Sequence, residues 1–175
     1  MLTKPLGTGI LATALKAGEL EENTVLQITE IMAALNRDAA EAMAEVGVNA
    51  CTDVTGFGLL GHCLEMAKAS NVGIQLWAEK VPVISEAKTF ASMGFVPGGS
   101  FNNQNFCANH LEIDPSLAPI LLDLFSDPQT SGGLLISVPE RKASALVQNL
   151  RERNTPSAHI IGEVLENRPG IIKVH

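Results

Sequence analysis

The sequence contains no tyrosine, one tryptophan and six phenylalanines, so aromatics are 4% of its 175 residues. A core must then be assembled from Leu, Ile, Val, Ala and Met packed between regular elements, which suits an α/β protein. Positive charge is also scarce: 12 Lys and Arg stand against 19 Asp and Glu, a formal net charge of -7. Without a Lys/Arg cluster there is no electrostatic footprint for nucleic acid, and no nucleic-acid partner is expected. Apolar runs stay well short of the ~20 residues that cross a bilayer, and the first residues lack the layout of a signal peptide. No membrane partner is expected, and the expected location is the cytoplasm. Cysteine is limited to Cys51, Cys63 and Cys107. That odd, widely spaced set fits neither a disulfide framework nor a structural zinc site, and predicts three buried, inert thiols in a reducing compartment.

The 46% hydrophobic content is enough for one sizeable core, and a chain of this length is expected to form a single domain. Leu2 to Leu6 reads as a short extended segment, and Gly7-Thr8-Gly9 leads into a helix from Ile10 to Lys16. Apolar positions at Leu26, Ile28, Ile31, Met32, Leu35 and Ala39 to Met43 predict one amphipathic helix from an Asn23 cap to Gly47. Val48 to Val54 reads as a strand. Gly56-Phe57-Gly58 then opens a helix whose Phe57, Leu60 and Leu64 should pack on the sheet. Further strands are predicted at Val72 to Trp77, Leu134 to Val138, His159 to Val164 and Gly170 to Val174. Helices are predicted at Ser85 to Met93, at Ser116 to Phe125 and after Pro139. Residues 101 to 115 show no usable periodicity. The alternation implies α/β architecture with helices packed on a sheet, although strand order does not follow from the pattern.

Chemistry concentrates in Cys51-Thr52-Asp53-Val54-Thr55-Gly56-Phe57-Gly58, where a buried strand meets a glycine-rich helix start. Amides at such a start can bind phosphate oxygens, and glycine permits close approach. Asp53 would repel a phosphate unless a cation lay between, and Mg²⁺ takes one or two protein oxygens together with phosphate oxygens. The motif therefore reads either as a metal-nucleotide contact or as a turn shaped by Thr55 and Gly56 and capped by a polar side chain. The Asp127 to Gly133 turn can likewise point amides at an anion or simply precede a strand. His62 reads as a packed or capped histidine, and Lys4 as an exposed strand lysine.

Leu2-Thr3-Lys4-Pro5-Leu6-Gly7-Thr8-Gly9, Thr52-Asp53-Val54-Thr55-Gly56-Phe57-Gly58, Pro97-Gly98-Gly99-Ser100 and Asp127-Pro128-Gln129-Thr130-Ser131-Gly132-Gly133-Leu134-Leu135 resemble successive signatures of the selenophosphate synthetase family, in that family's order. The resemblance implies the carboxy-terminal domain of an enzyme that uses ATP, Mg²⁺, selenide and water to make selenophosphate, AMP and phosphate. It implies a mixed sheet with helices packed on it, like the carboxy-terminal domain of aminoimidazole ribonucleotide synthetase. The family's metal- and ATP-binding aspartate maps onto Asp53, and the adjoining glycine-rich helix start makes Thr55, Gly56, Phe57 and Gly58 the expected nucleotide contacts.

The family's amino-terminal ATP-binding half, bearing the catalytic Cys or selenocysteine, a Lys and most metal-binding aspartates, has no counterpart among residues 1 to 175. None of the three cysteines maps onto the catalytic one. That half is the expected partner, the full-length enzyme is expected to be a homodimer, and this chain alone is expected to be inactive. Asn102-Asn103 stands where the family pattern has Arg-Asn, which removes the charge and bidentate fork of an arginine from that loop. The competing readings are a scaffold or partner-binding module, and a purine-pathway or hydrogenase-maturation member of the same superfamily.

Overall fold

In a computed structural model that describes residues 1–175, helices α1 (Thr8–Lys16), α2 (Glu22–Ala33) and α3 (Arg37–Val46) come first, followed by strand β1 (Ala50–Asp53) and α4 (Gly58–Ala69). Next come β2 (Gly73–Leu76), α5 (Ser85–Ser92), α6 (Gly98–Cys107), β3 (Leu111–Ile113) and α7 (Ile120–Ser126). The chain ends with β4 (Leu134–Ser137), α8 (Glu140–Glu152), β5 (Gly162–Leu165) and β6 (Ile172–Val174). No helix is long and apolar enough to cross a membrane.

The strands form two sheets. β1 pairs antiparallel with β4, Asp53 lying opposite Leu134. The other four follow the order β3-β6-β2-β5. There β2 runs parallel to β6 and antiparallel to β5, which makes the sheet mixed as expected. Leu2 bridges both Leu135 and His159, so the first residues lie in extended form between β4 and the approach to β5.

Strand β4 is buried on both faces, and its alternation divides the interior. Leu135 joins the main core with Leu2, Ile10, Leu60, Leu64, Phe125 and Ile172, whereas Leu134 and Ile136 join a second core with Ala39, Ala42, Leu146 and Leu150 of α3 and α8. Helix α4 is the central helix of the main core, with Leu59, Leu60, Cys63, Leu64 and Ala67 at no more than 1% exposure.

The structure revises several sequence expectations. The single helix from Asn23 to Gly47 is two, because Ala34 turns extended (φ -60°, ψ 125°) and its carbonyl accepts from Lys4 Nζ at 2.7 Å. Asn36 is held too, its Nδ2 donating to Gly132 O at 2.9 Å. The periodicity continues across this break, but Lys4 takes the Ala34 carbonyl that would continue the helix, and Gly132 anchors the Asn36 side chain beside it. Residues 98 to 107 form α6, whose buried positions are Ser100, Asn103 and Cys107, so its inward face carries no hydrophobic signal. Phe57 does not pack on the sheet. Helix α4 starts one residue later, and Phe57 is 44% exposed while Leu60 and Leu64 are buried.

Leu64 fills the junction of α4 with the main core. Leu64→Ala should cost about 2–5 kcal/mol of stability, read from urea unfolding; a loss below about 1 kcal/mol would place this helix outside the folding core.

Candidate functional site

The carboxyl end of β1 is where the four sequence motifs meet. Asp53 is exposed as the last strand residue, and no hydrogen bond or ion pair engages its carboxylate. Val54 is buried and donates its amide to Gly133 O at 2.8 Å. The Thr55 carbonyl accepts from the Gly58 amide at 3.0 Å and from the Gln129 amide at 2.9 Å. The Gly56 carbonyl accepts from Asn103 Nδ2 at 2.8 Å, and the same nitrogen donates to Ser126 O at 2.9 Å. With its carbonyls turned inward, the loop leaves the amides of Thr55, Gly56 and Phe57 without an acceptor in the chain.

Glycine is required where backbone meets backbone. Gly58 has φ +67°, and a Cβ there would lie 2.7 Å from Ser126 C; at Gly132 it would lie 2.0 Å from Val54 O. At Gly56 nothing lies within 4 Å of the Cβ position, so that residue faces open space beside Asp53. The structure thus brings Asp53, Thr55, Gly56 and Phe57 to one surface. The Gly58 amide is already used in closing the turn, and Gly58 itself is buried beneath it.

The Asp127 to Gly133 turn is an internal clamp. Gln129 Oε1 accepts from the Gly7 amide at 3.1 Å, the Thr8 amide at 3.3 Å and Thr8 Oγ1 at 3.1 Å. Asp127 Oδ2 accepts from the Gly9 amide at 3.0 Å and from Gln129 Nε2 at 2.9 Å. Helix α1 is therefore capped by side chains more than a hundred residues away, which no local pattern reveals. Asp127 is fully buried, Oδ1 has no partner, and burial pushes its carboxyl up to about 6 against the hydrogen bonds it accepts.

Lys4 is not an exposed strand lysine. It is 1% exposed, and Nζ donates to Ala34 O and Ser131 O, both at 2.7 Å, with its pKa lowered by burial. Cys51 is exposed, contrary to the expectation of three buried thiols, whereas Cys63 and Cys107 are buried. Partial burial and the nearby Asp53 push the Cys51 thiol up to about 11; burial takes Cys63 to about 12 and Cys107 to about 11. None is poised as a thiolate at neutral pH. His62 is 7% exposed and packed, as expected, with Nε2 3.2 Å from Thr55 Oγ1.

No group of three or more His, Cys, Asp or Glu side chains gathers anywhere in the chain. A divalent ion at this surface would therefore take Asp53 as its protein carboxylate and complete its shell elsewhere. That donor set fits Mg²⁺, which binds through one or two carboxylates with waters and phosphate oxygens.

Helices packed against a mixed sheet make this an α/β domain, and its family match places it in the aminoimidazole ribonucleotide (AIR) synthase class. The chain belongs to the family described as AIR synthase related protein, C-terminal domain, which matches residues 1–175. The fold is shared with Hydrogenase Maturation Protein HypE in complex with ATP, with a TM-score of 0.67 and 19% identity over 99% of this chain and 45% of that one. In sequence, the chain is 43% identical to Selenide, water dikinase of Clostridium botulinum (strain Eklund 17B / Type B), over 99% of this chain and 50% of that protein. It is 46% identical to Selenide, water dikinase of Caldanaerobacter subterraneus subsp. tengcongensis, over 96% and 48% respectively. The chain spans about half the length of these curated relatives.

Stability should record the buried Asp127. Its folded pKa of about 6 lies above the ordinary 3.8, so between those values the folded state binds more protons than the unfolded state. This group's contribution is therefore most favourable below that window and declines as pH rises through it. Relative to Asp127→Asn, the wild type should gain roughly 2 kcal/mol in urea unfolding as pH falls from about 7 to about 4. Identical pH responses would show that Asp127 titrates normally.

Proposed function

We propose that this chain is the carboxy-terminal domain of an ATP-dependent selenide, water dikinase, which makes selenophosphate from selenide, ATP and water and releases AMP and phosphate. The observation that carries the reading is the free Asp53 carboxylate beside three unengaged amides, in a chain 43% identical to a selenide, water dikinase over nearly its whole length. HypE, which shares the fold, has been crystallised with ATP, which is consistent with nucleotide at this kind of surface.

In this reading, the chain positions and neutralises more than it reacts. Asp53 holds Mg²⁺, whose charge offsets that of the ATP phosphates. The amides of Thr55, Gly56 and Phe57 donate to phosphate oxygens at the start of α4, where the helix dipole also favours negative charge. Gly58 sets the turn that aims them. Phosphoryl transfer depends largely on such positioning and electrostatics, so a domain without a nucleophile can still contribute much of the rate.

The nucleophile and the remaining metal ligands come, in this proposal, from an amino-terminal ATP-binding half that is this chain's first partner. The high thiol pKa values of Cys51, Cys63 and Cys107 agree with a nucleophile located elsewhere. A homodimeric, cytoplasmic full-length enzyme belongs to the same proposal.

The central test is Asp53→Asn in the two-half enzyme. Because Asp53 is exposed and unbonded, the melting temperature should hold, while Mg²⁺-dependent activity should fall by roughly 100-fold or more, as when one transition-state charge contact is removed. Unchanged activity at every Mg²⁺ concentration would remove the metal role, and an unfolded variant would make Asp53 structural. For the purified 175-residue chain given ATP and selenide, no AMP should form. Selenide-dependent AMP above a no-protein control would contradict the division of labour between the two halves.

A further inference from the structure

A line of contacts runs from the glycine loop to solvent along α4. His62 is buried one turn into that helix, and its Nε2 lies 3.2 Å from Thr55 Oγ1. On the other side of the ring, Nδ1 lies 3.0 Å from Glu65 Oε2, within ion-pair range but off the line of a hydrogen bond. The i,i+3 helical spacing brings Glu65 to that nitrogen, and its side chain is 48% exposed, which leaves the carboxylate room to turn toward Nδ1. The Phe57 ring meets the imidazole edge-on, centroids 5.7 Å apart at 64°, and helps keep the ring in place.

A neutral imidazole carries one ring proton. A carboxylate beside Nδ1 attracts an N–H there and repels a lone pair, so it selects the tautomer with hydrogen on Nδ1. Nε2 is then an acceptor, and its hydrogen-bond partner is the Thr55 hydroxyl. We propose that Glu65 and His62 act as a positioning pair that takes up the Thr55 hydroxyl proton in an internal hydrogen bond, so that Thr55 Oγ1 offers only lone pairs to the ligand. Such an oxygen accepts from the water shell of a divalent cation, or reaches the cation itself, and cannot donate to a phosphate oxygen.

The surface is thereby divided. The Thr55 to Phe57 amides serve phosphate oxygens, and Asp53 with Thr55 Oγ1 serves the hydrated cation. The identity of that cation rests on the proposed function; the tautomer and the direction of the hydrogen bond do not. The arrangement follows the general pattern in which an imidazole is fixed by a carboxylate on one nitrogen so that the other has a defined role.

The direct test is long-range ¹H–¹⁵N NMR of the labelled 175-residue chain at mildly alkaline pH. The His62 signals should show the Nδ1–H tautomer, and Glu65→Ala should shift population toward Nε2–H; a predominantly Nε2–H wild-type ring overturns the proposal. The second arm uses Mg²⁺ titrations of the two-half enzyme. Thr55→Val and His62→Asn should raise the half-saturating Mg²⁺ concentration by about tenfold, the usual range for losing an outer-shell partner of a metal site. Thr55→Ser and His62→Gln should restore it, since Ser keeps the hydroxyl and the longer amide returns an acceptor near Nε2. Equal effects of Asn and Gln at His62, or an unchanged Mg²⁺ requirement in Thr55→Val, would overturn the positioning role. The failures are separable: an Nδ1–H ring in a protein indifferent to Asp53→Asn would refute the metal reading alone, and an Nε2–H ring with Asp53 essential would refute the positioning pair alone.

Discussion

The geometry of the site depends on direct contact between two stretches of backbone, the end of β1 with its glycine turn and the Ser126 to Gly133 segment. Side chains cannot intervene there: Cβ atoms at Gly58 and Gly132 would meet main-chain atoms at 2.7 and 2.0 Å. The two segments then satisfy each other through Val54 N to Gly133 O and Gln129 N to Thr55 O, which turns the carbonyls inward and leaves amides outward. Buried main-chain groups must find partners, and when they pair across this seam the exposed remainder of the loop is all donor. The outward amides of the candidate site are thus a by-product of how the seam closes.

Two buried charges brace this seam without touching one another. Lys4 gives its protons to the carbonyls of Ala34 and Ser131, and Asp127 takes amide protons from α1. Neither meets an opposite charge: Lys4 is solvated by main-chain carbonyls, and Asp127 by main-chain amide and the Gln129 side chain, an arrangement that fixes geometry at a desolvation cost. The opposite displacements of their pKa values, Lys4 down and Asp127 up, are that cost expressed in protons. A chain that accepts this cost beside its candidate site gains rigidity in the turn and in the α2–α3 break that the turn supports.

How much was legible from sequence follows from the range of the forces involved. Strong periodic segments such as α4, α5 and α8 and the β4 run were readable because apolar burial sets their pattern. Helix α6 was unreadable because it buries Ser100, Asn103 and Cys107, and β3 because its three residues carry an intermediate and two exposed positions. The break between α2 and α3 was hidden by continuous periodicity, since it is dictated by Lys4 from a distant motif. At the site, Asp53 and the loop stood out as local chemistry. The convergence of four motifs did not, because every bond joining them spans long sequence separations. The Thr55 to His62 contact is the exception, being seven residues apart across one helix start.

Strand β4 belongs to both interiors at once, Leu135 to one and Leu134 with Ile136 to the other. It is also the strand into which the clamp turn runs. The molecule is therefore a pair of packed cores sharing one beam, and that beam is paired residue by residue with the strand that ends at Asp53. The outer helices α3 and α8, tied by the ion pairs of Arg153 with Glu41 and Glu45, thus stand one strand away from the loop that carries Asp53.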